Sequence, residues 1–290
     1  MIRIVVPATT SNFGCGFDSV GMAVNLHLVV EIVKRSEKWH IQHNLGKEIP
    51  SDMSNLVVQT ALKIVPHLDS HELKMNLGIP LERGLGSSAS AIVAGIELAS
   101  VLGSLSMTPE EKLEIACSLE GHPDNVVPAI LGGLTISSFS DKGLSYCKVN
   151  FPKCAIVAYM PNYKISTAEA RKILPAQMSF TDAVRASSIA NVMVSALSIG
   201  DMVTAGKMME LDMFHERFRE KLFPDLTRIR PIARKHGAYA TFLSGAGSTI
   251  LVFIENGKED RLICALNDEK ESDTQIMRLE QDVTGTRVER

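Results

Sequence analysis

The chain has 290 residues, 45% of them hydrophobic and 22% charged, which is ordinary for a globular protein and leaves room for one large or two smaller domains. Its 30 basic and 33 acidic side chains leave a net charge of −3, so no basic surplus is available to neutralise nucleic-acid phosphates. No apolar run approaches bilayer length, MIRIVVPATT lacks the layout of a signal peptide, and the five scattered cysteines form no CxxC pair, which points to reduced thiols in a cytoplasm.

In chain order, MIRIVV and AVNLHLVVEIV are β-branched, partly alternating runs that predict strands, with a turn-rich loop from Pro7 to Gly21 between them. SNLVVQTALKIVPHL has helical spacing, with Ser54 or Asn55 as N-cap, and LKMNLGI is a short strand running into a glycine-rich loop. TPEEKLEIACSLEG carries both a start and a stop. Thr108 caps, Pro109 takes the first helical position, Glu110 and Glu111 suit the positive end, and Gly121 terminates. After LGGLTISSF come a polar turn near Asp141–Gly143 and strands around YCKV and CAIVAYM, with a soft boundary near Asn150–Lys153. The second half reads as two helices, TDAVRASSIANVMVSALSIGD and MVTAGKMMELDMFHERFREKL. A strand–turn–strand in AYATFLSGAGSTILVFI and a last helix near Lys258–Asp268 follow. Strand pairs mixed with helices, without strict βαβ alternation, predict an α+β fold.

The stretch IPLERGLGSSASAIVAGIELAS (Ile79–Ser100) sets Gly84, Gly86, Ser87 and Ser88 directly ahead of a small-residue helix. Helix N-termini offer unpaired N–H groups and a positive dipole end, so glycines there admit an anion such as a phosphate. The plainer alternative is a tight strand-to-helix connection. GxxxxGK[ST] is absent, since Gly46–Lys47 and Gly257–Lys258 are both followed by Glu and lack the upstream glycine. GLGSSA matches G-x-G-x-x-A, but Pro80–Arg83 separate it from the strand and no acid ends a second strand about 20 residues on, which argues against a dinucleotide fold.

PLERGLGSSASA resembles the second motif of the GHMP kinases, P-x-x-x-G-L-G-S-S-A. PATTSNFGCGFDSVGMA (Pro7–Ala23) is similar to their first motif and LSGAGSTI (Leu243–Ile250) to their third, so three ordered motifs span nearly the whole chain. EGHPDNVVPAILGG (Glu120–Gly133), ISTAEARKILP (Ile165–Pro175) and FHERFREKLFPDL (Phe214–Leu226) are similar to the homoserine kinases within that superfamily. The resemblance implies a GHMP kinase fold: an ATP-binding domain like the second domain of ribosomal protein S5 over 1–150, a ferredoxin-like α/β-plait domain over 151–290, and an active site between them. It further implies ATP-dependent phosphorylation of the terminal hydroxyl of L-homoserine in threonine biosynthesis, with Mg2+ as cofactor. A cytoplasmic homodimer with no nucleic-acid or membrane partner is expected.

By the same resemblance, Pro80, Leu81, Glu82, Arg83, Gly84, Leu85, Gly86, Ser87, Ser88, Ala89 and Ser90 form the ATP phosphate loop. Ser88 and Glu120 are the metal ligands, Glu120 being the better one because it brings a charge. Arg171 and Arg219 ligate the substrate carboxylate, for which a planar guanidinium fork is suited. Asp18 faces the ammonium with Asn12, His122 and Asp124 nearby, Asn125 orients the hydroxyl, Thr167 joins the substrate pocket, and Gly245 and Gly247 shape a turn. Mevalonate kinase-like relatives carry an aspartate where Asn125 stands. An amide cannot take up a proton, so the implied catalysis is electrostatic stabilisation without a conventional base.

On spacing alone each residue has a plainer alternative. Arg219 reads as a solvated helix residue with Arg217, Arg171 and Lys172 as rivals, Asp18 as a turn residue, Asn125 as a helix cap and His122 as a packed histidine. His40 and His43 belong to no metal-ligand constellation and read as structural or exposed. Two departures stand out: Ser248 and Arg217 occupy positions where relatives commonly carry proline, which leaves open the rigidity of the third-motif turn and the path to Arg219.

Overall fold

The computed structural model describes residues 1–290. The long β-branched runs near the N-terminus form β1 (Ile2–Ser11) and β2 (Val20–Arg35), paired antiparallel with a register shift between Pro7 and Ala8. That bulge lets β1 run past a proline that cannot donate to the ladder, so the predicted Pro7–Gly21 loop shrinks to residues 12–19. There follow β3 (His40–Gln42), α1 (Leu56–Ile64, capped by the Asn55 side chain), β4 (His71–Leu77), α2 (Ser87–Leu102), α3 (Pro109–Glu120), α4 (Pro123–Leu131), β5 (Leu134–Ser140) and β6 (Gly143–Val149). The α3 capping box of Thr108 and Glu111 forms as its sequence predicts. Beyond it lie β7 (Ala155–Met160), α5 (Thr167–Lys172), α6 (Phe180–Ile199), α7 (Met202–Met209), α8 (Glu216–Arg219), α9 (Pro224–Lys235), β8 (Ala238–Leu243), β9 (Ile250–Ile254), α10 (Glu259–Glu269), β10 (Gln275–Leu279) and β11 (Arg287–Glu289).

Two sheets organise these elements. The first runs β11-β1-β2-β4-β3, with β5 on the opening residues of β2 and β6 beyond it. The second runs β10-β7-β9-β8, all antiparallel, with α5–α9 between β7 and β8 and α10 between β9 and β10, the arrangement of a ferredoxin-like plait. Residues 280–289, which the sequence reading assigns to the second half, return to the first sheet through β11.

Strand periodicity joins the sheets. On β7, Ile156, Ala158 and Met160 face the main core with Phe242 and Phe253, whereas Val157 and Tyr159 face Leu226, Ile229 and Leu262 of α9 and α10. Fully buried Phe13, from the loop after β1, sets its ring 5.2 Å from both Phe242 and Phe253, so the main core continues across the two sheets.

Two helical regions depart from the sequence expectation. The run from Met202 to Leu222 is not one helix. α7 stops at Met209, and the Asp212 carboxylate accepts from the N–H groups of Phe214, His215 and Glu216, which starts α8 on a new path. α9 lies outside the predicted elements, because Pro231 in its interior breaks the expected pattern.

Two contacts fix the helices that later matter. Lys112 Nζ bonds both oxygens of Glu97 at 2.7 and 2.8 Å, locking α3 antiparallel to α2. Ser88 lies nine residues back along α2 and Glu120 eight residues on along α3. At 1.5 Å per residue those offsets are about 13 and 12 Å, so the two side chains meet. Meanwhile β2 presses so closely on α4 that a Cβ at Gly21 would sit 1.6 Å from the Asp124 carbonyl oxygen. Gly21→Ala is therefore expected to push α4 outward and to lower unfolding free energy by about 3 kcal/mol in urea titration. Wild-type stability in that variant would show that the contact is not limiting.

Candidate active site

The three glycine-rich segments meet at one place. Thr9 N–H donates to Leu85 O, Gly245 N–H to Ser11 O, and Thr249 N–H to Arg83 O, at 3.1 to 3.2 Å. The buried Ser244 hydroxyl donates to Gly84 O at 2.6 Å, and Asn12 Nδ2 donates to Gly245 O at 2.9 Å. Gly84 is required here, since it has φ +73° and an added Cβ would lie 2.0 Å from Ser244 O. The loop's glycine thus answers first to the third segment pressing on it.

Around this junction opens a polar cleft. Its lining includes Asn12, Asp18, Glu82, Gly84, Gly86, Ser87, Ser88, Glu120, His122, Asp124, Asn125, Thr167, Arg171, Arg219, Gly245 and Gly247. Pro80, Leu81 and Arg83 line a neighbouring groove, while Leu85, Ala89 and Ser90 are buried, the Ser90 hydroxyl donating to Pro7 O. His43 holds a local turn with Leu45 and Ser51, and His40 is exposed.

The cleft's floor is the start of α2. Gly86 is its N-cap in left-handed conformation, no side chain caps it, and its first turn holds no acid. α3 and α5, by contrast, begin with complete capping boxes and acidic first turns. The donors of a 16-residue helix are left facing the cleft, an electrostatic place for an anion. From this floor an apolar groove runs past Leu81 to Leu45, Ile49, Pro50, Leu56 and Met75. Sequence reading missed that groove, because its residues are scattered over four elements and loops.

One wall carries Glu120, whose Oε2 accepts from Ser88 Oγ at 3.4 Å. Burial raises the Glu120 pKa, opposed by His122 and the Ser88 bond. The Ser88 and Glu120 oxygens stand close to the roughly 3 Å separation of adjacent oxygens on an octahedral ion with ~2.1 Å bonds. A desolvated carboxyl beside a hydroxyl is a donor set that fits magnesium. Asp18, His122 and Asp124 also cluster, but their atoms are engaged, Asp18 with Arg171 and His122 Nδ1 with Asp124 Oδ1 at 2.6 Å.

Asn125 is not a cap. It lies in the first turn of α4, where Thr9 Oγ1 donates to its Oδ1 at 2.8 Å and its Nδ2 donates to Ser11 Oγ at 3.1 Å. One amide hydrogen and one lone pair remain for a ligand. Thr9 and Ser11 went unremarked in the sequence although they sit in the first glycine segment.

The opposite wall holds two guanidinium groups. Arg219 is 1% exposed, whereas its rivals Arg217 and Lys172 are exposed. Arg219 Nε donates to Ala170 O and Nη1 to Gly245 O, at 3.0 and 3.2 Å. Arg171 grips Asp18 through both terminal nitrogens, at 3.0 and 2.5 Å. Both guanidinium carbons lie over the Phe17 ring, 5.4 and 5.7 Å from its centroid. Burial first, then repulsion from Arg171, lowers Arg219 to about 10, which still leaves it charged at neutral pH. The departures from the family pattern are accommodated: Ser248 Oγ donates to Tyr163 O at 2.7 Å, and Arg217 stacks outward on Phe218.

His122 combines opposing influences. Burial pulls its pKa down, but the bond and charge of Asp124, with Glu120 behind, raise it above the ordinary value. The stabilisation from this pair is complete below the unfolded value near 6.5 and is lost as pH rises through the higher folded value. In Asp124→Asn burial and repulsion from Arg171 are opposed by Glu120 alone. An NMR titration of His122 should then show its midpoint fall below that of the wild type, and the stability slope above pH 6.5 should flatten. An unmoved midpoint would sink the assignment.

Comparison with known proteins identifies the family. Residues 55–133 match the GHMP kinases N terminal domain and residues 193–272 match GHMP kinases C terminal. The chain is 48% identical over 288 residues to a homoserine kinase of Streptococcus gordonii, covering 99% of this chain and 100% of that one. It is 47% identical to a homoserine kinase of Listeria innocua, covering 99% of each. The crystal structure of a Cytophaga hutchinsonii homoserine kinase superposes with a TM-score of 0.85 at 26% identity, over 99% of this chain and 96% of that one. With the glycine junction, the open helix end and the twin guanidinium wall in one cleft, and with likeness over its full length, the chain belongs to the homoserine kinase family of the GHMP kinases.

Proposed function

We propose that the chain transfers the γ-phosphoryl group of ATP to the terminal hydroxyl of L-homoserine, giving ADP and O-phospho-L-homoserine on the way to threonine. The observation that carries this reading is that one cleft contains both an uncapped helix N-terminus and two guanidinium groups stacked on Phe17. One suits a polyphosphate and the other an α-carboxylate. The base of ATP occupies the apolar groove leading away from Ser87 and Ser88.

The amino acid enters as a zwitterion. Its carboxylate takes the edges of Arg171 and Arg219, and its ammonium takes Asp18. This exchanges the Asp18–Arg171 ion pair for pairs with the ligand. The pair is about one-third exposed on each side, so breaking it costs only about 1 kcal/mol or less. Asn125, held by Thr9 and Ser11, turns the hydroxyl toward the phosphate loop with its free amide hydrogen or lone pair. Ser88 and Glu120 would hold Mg2+, which supplies positive charge to the β- and γ-phosphates when bound. No helix is long and apolar enough to cross a membrane and all five cysteines are free, which supports a cytoplasmic setting.

The test is ADP release with MgATP and a panel of acceptors: L-homoserine, D-homoserine, L-threonine, mevalonate and galactose. Turnover confined to L-homoserine is expected. Arg171→Ala and Arg219→Gln should each raise the KM for homoserine by about 10- to 100-fold, the worth of a charge-assisted hydrogen bond. Turnover with mevalonate or galactose instead would overturn the acceptor assignment.

We further propose a homodimer, with the apolar stripe of α6 as the contact. Phe180 and Ile199 are 85% and 81% exposed at its ends, and Val184 and Val192 lie between them. Light scattering should give twice the 31.6 kDa chain mass, falling to the monomer in a Val184→Glu, Val192→Glu double variant. A wild-type monomer at tens of micromolar would refute the contact.

A further inference from the structure

Beside the two guanidinium groups lies a buried imidazole that the proposed reaction leaves without a role. His215 is fully buried just ahead of α8. Its partners dictate its chemistry. Nε2 is 3.0 Å from Gly14 O, an oxygen that only accepts, so Nε2 carries the hydrogen. Nδ1 is 3.1 Å from Arg219 Nη1, a nitrogen that only donates, so Nδ1 presents a lone pair. One neutral tautomer satisfies both contacts, and an imidazolium would set hydrogen against hydrogen at Arg219.

The surroundings hold the ring in place. It stacks on Phe17 at 5.2 Å and 26°, and Phe17 is the ring over which both Arg171 and Arg219 lie. The charged groups that face it are Asp212, 3.9 Å from Nε2, with Arg219 and Asp18. Burial outweighs the attraction of Asp212 and keeps the imidazole neutral down to about pH 4. On Arg219, Nε is committed to Ala170 O, while Nη1 is shared between His215 and Gly245 O. The guanidinium is therefore held by three acceptors, one at Nε and two at Nη1, and Nη2 is the nitrogen left for the cleft that Arg219 lines. Two of those acceptors are backbone carbonyls that no substitution removes. His215 is the only side chain in the clamp.

We propose that His215 is a positioning residue: its Nδ1 lone pair holds the Arg219 guanidinium with Nη2 presented to the substrate carboxylate, so that affinity for the amino acid depends on the neutral tautomer. This rests on the reading of Arg219 as a carboxylate ligand. The competing role is structural, in which His215 serves only to pin Gly14 and the first glycine segment.

Two substitutions in the full chain separate these roles, because each keeps one of the two hydrogen bonds. In His215→Asn, Oδ1 takes the place of Nδ1 and can accept from Arg219, while the bond to Gly14 is lost. In His215→Gln, the terminal amide reaches Gly14 O and a methylene faces Arg219. Positioning predicts that His215→Gln raises the KM for L-homoserine about tenfold or more, with kcat and the KM for ATP within about twofold. His215→Asn should keep the homoserine KM within about threefold of wild type. Equal losses in both variants, or an unchanged homoserine KM in His215→Gln, overturn the inference. Arg219→Gln measured alongside keeps the two failures apart. An unchanged homoserine KM in that variant defeats the reading of Arg219, whereas a raised one with a silent His215→Gln defeats only the positioning role. If neither histidine variant folds, the wild-type imidazole nitrogen shifts near neutral pH decide: a protonated Nε2 with a bare Nδ1 is required, and the other tautomer or an imidazolium refutes the clamp.

Discussion

Gly245 O accepts two hydrogen bonds, one from Asn12 Nδ2 and one from Arg219 Nη1, and much of the cleft hangs on that oxygen. It ties the first glycine segment to the buried guanidinium through a turn whose neighbour, Ser244, is bonded to Gly84 of the loop ahead of α2. The end of the cleft suited to phosphate and the end suited to a carboxylate are therefore referenced to one backbone turn. Segments separated by more than two hundred residues cannot drift independently, because Phe13 closes the same junction from below against Phe242 and Phe253. Close packing of this kind transmits small displacements rather than absorbing them.

Around that frame the electrostatics are deliberately incomplete. Arg219 is nearly inaccessible and its bonds go to two carbonyls and an imidazole, with no carboxylate among them. At the other end Glu120 is a desolvated acid whose hydrogen-bond partner is a serine. Buried charges normally find partners. In the proposed reaction those partners come from a zwitterionic amino acid and a metal-bound polyphosphate. The Asp18–Arg171 pair is the exception, and its partial exposure makes it exchangeable at small expense.

Much of this was legible in the sequence because the chemistry sits in local motifs. Gly84, Gly86, Ser87, Ser88, Asp18, Glu120, His122 and Asn125 each lie in a contiguous pattern, and the fold gathers them into one cleft. Helix boundaries marked by side-chain caps, such as Thr108 and Asn55, were also readable. What escaped depends on distance in sequence. Phe17 matters because two guanidinium groups from α5 and α8 lie over it, and His215 because Gly14 lies 201 residues away. The break between α7 and α8 was hidden because apolar spacing continues through it, while one Asp212 carboxylate redirects three backbone donors. At Gly84 the close-packing alternative applies as well, since the glycine makes room for Ser244 O.

The setting of Asn125 bears on how the hydroxyl loses its proton. Four carboxyl groups, Asp18, Glu82, Glu120 and Asp124, already line the cleft that receives a polyphosphate in the proposed transfer. A fifth at position 125 would raise the repulsion and would need its own counter-charge. The amide avoids that, and Thr9 and Ser11 fix its orientation. His122 has its Nδ1 engaged by Asp124, whose bond and charge, with Glu120, raise its pKa above the ordinary value against the pull of burial. In the proposed transfer, then, the protein's work is to align the hydroxyl and neutralise charge. The proton leaves with the phosphoryl group or to solvent, as suits a loose transition state in which the nucleophile needs little activation before bonding begins.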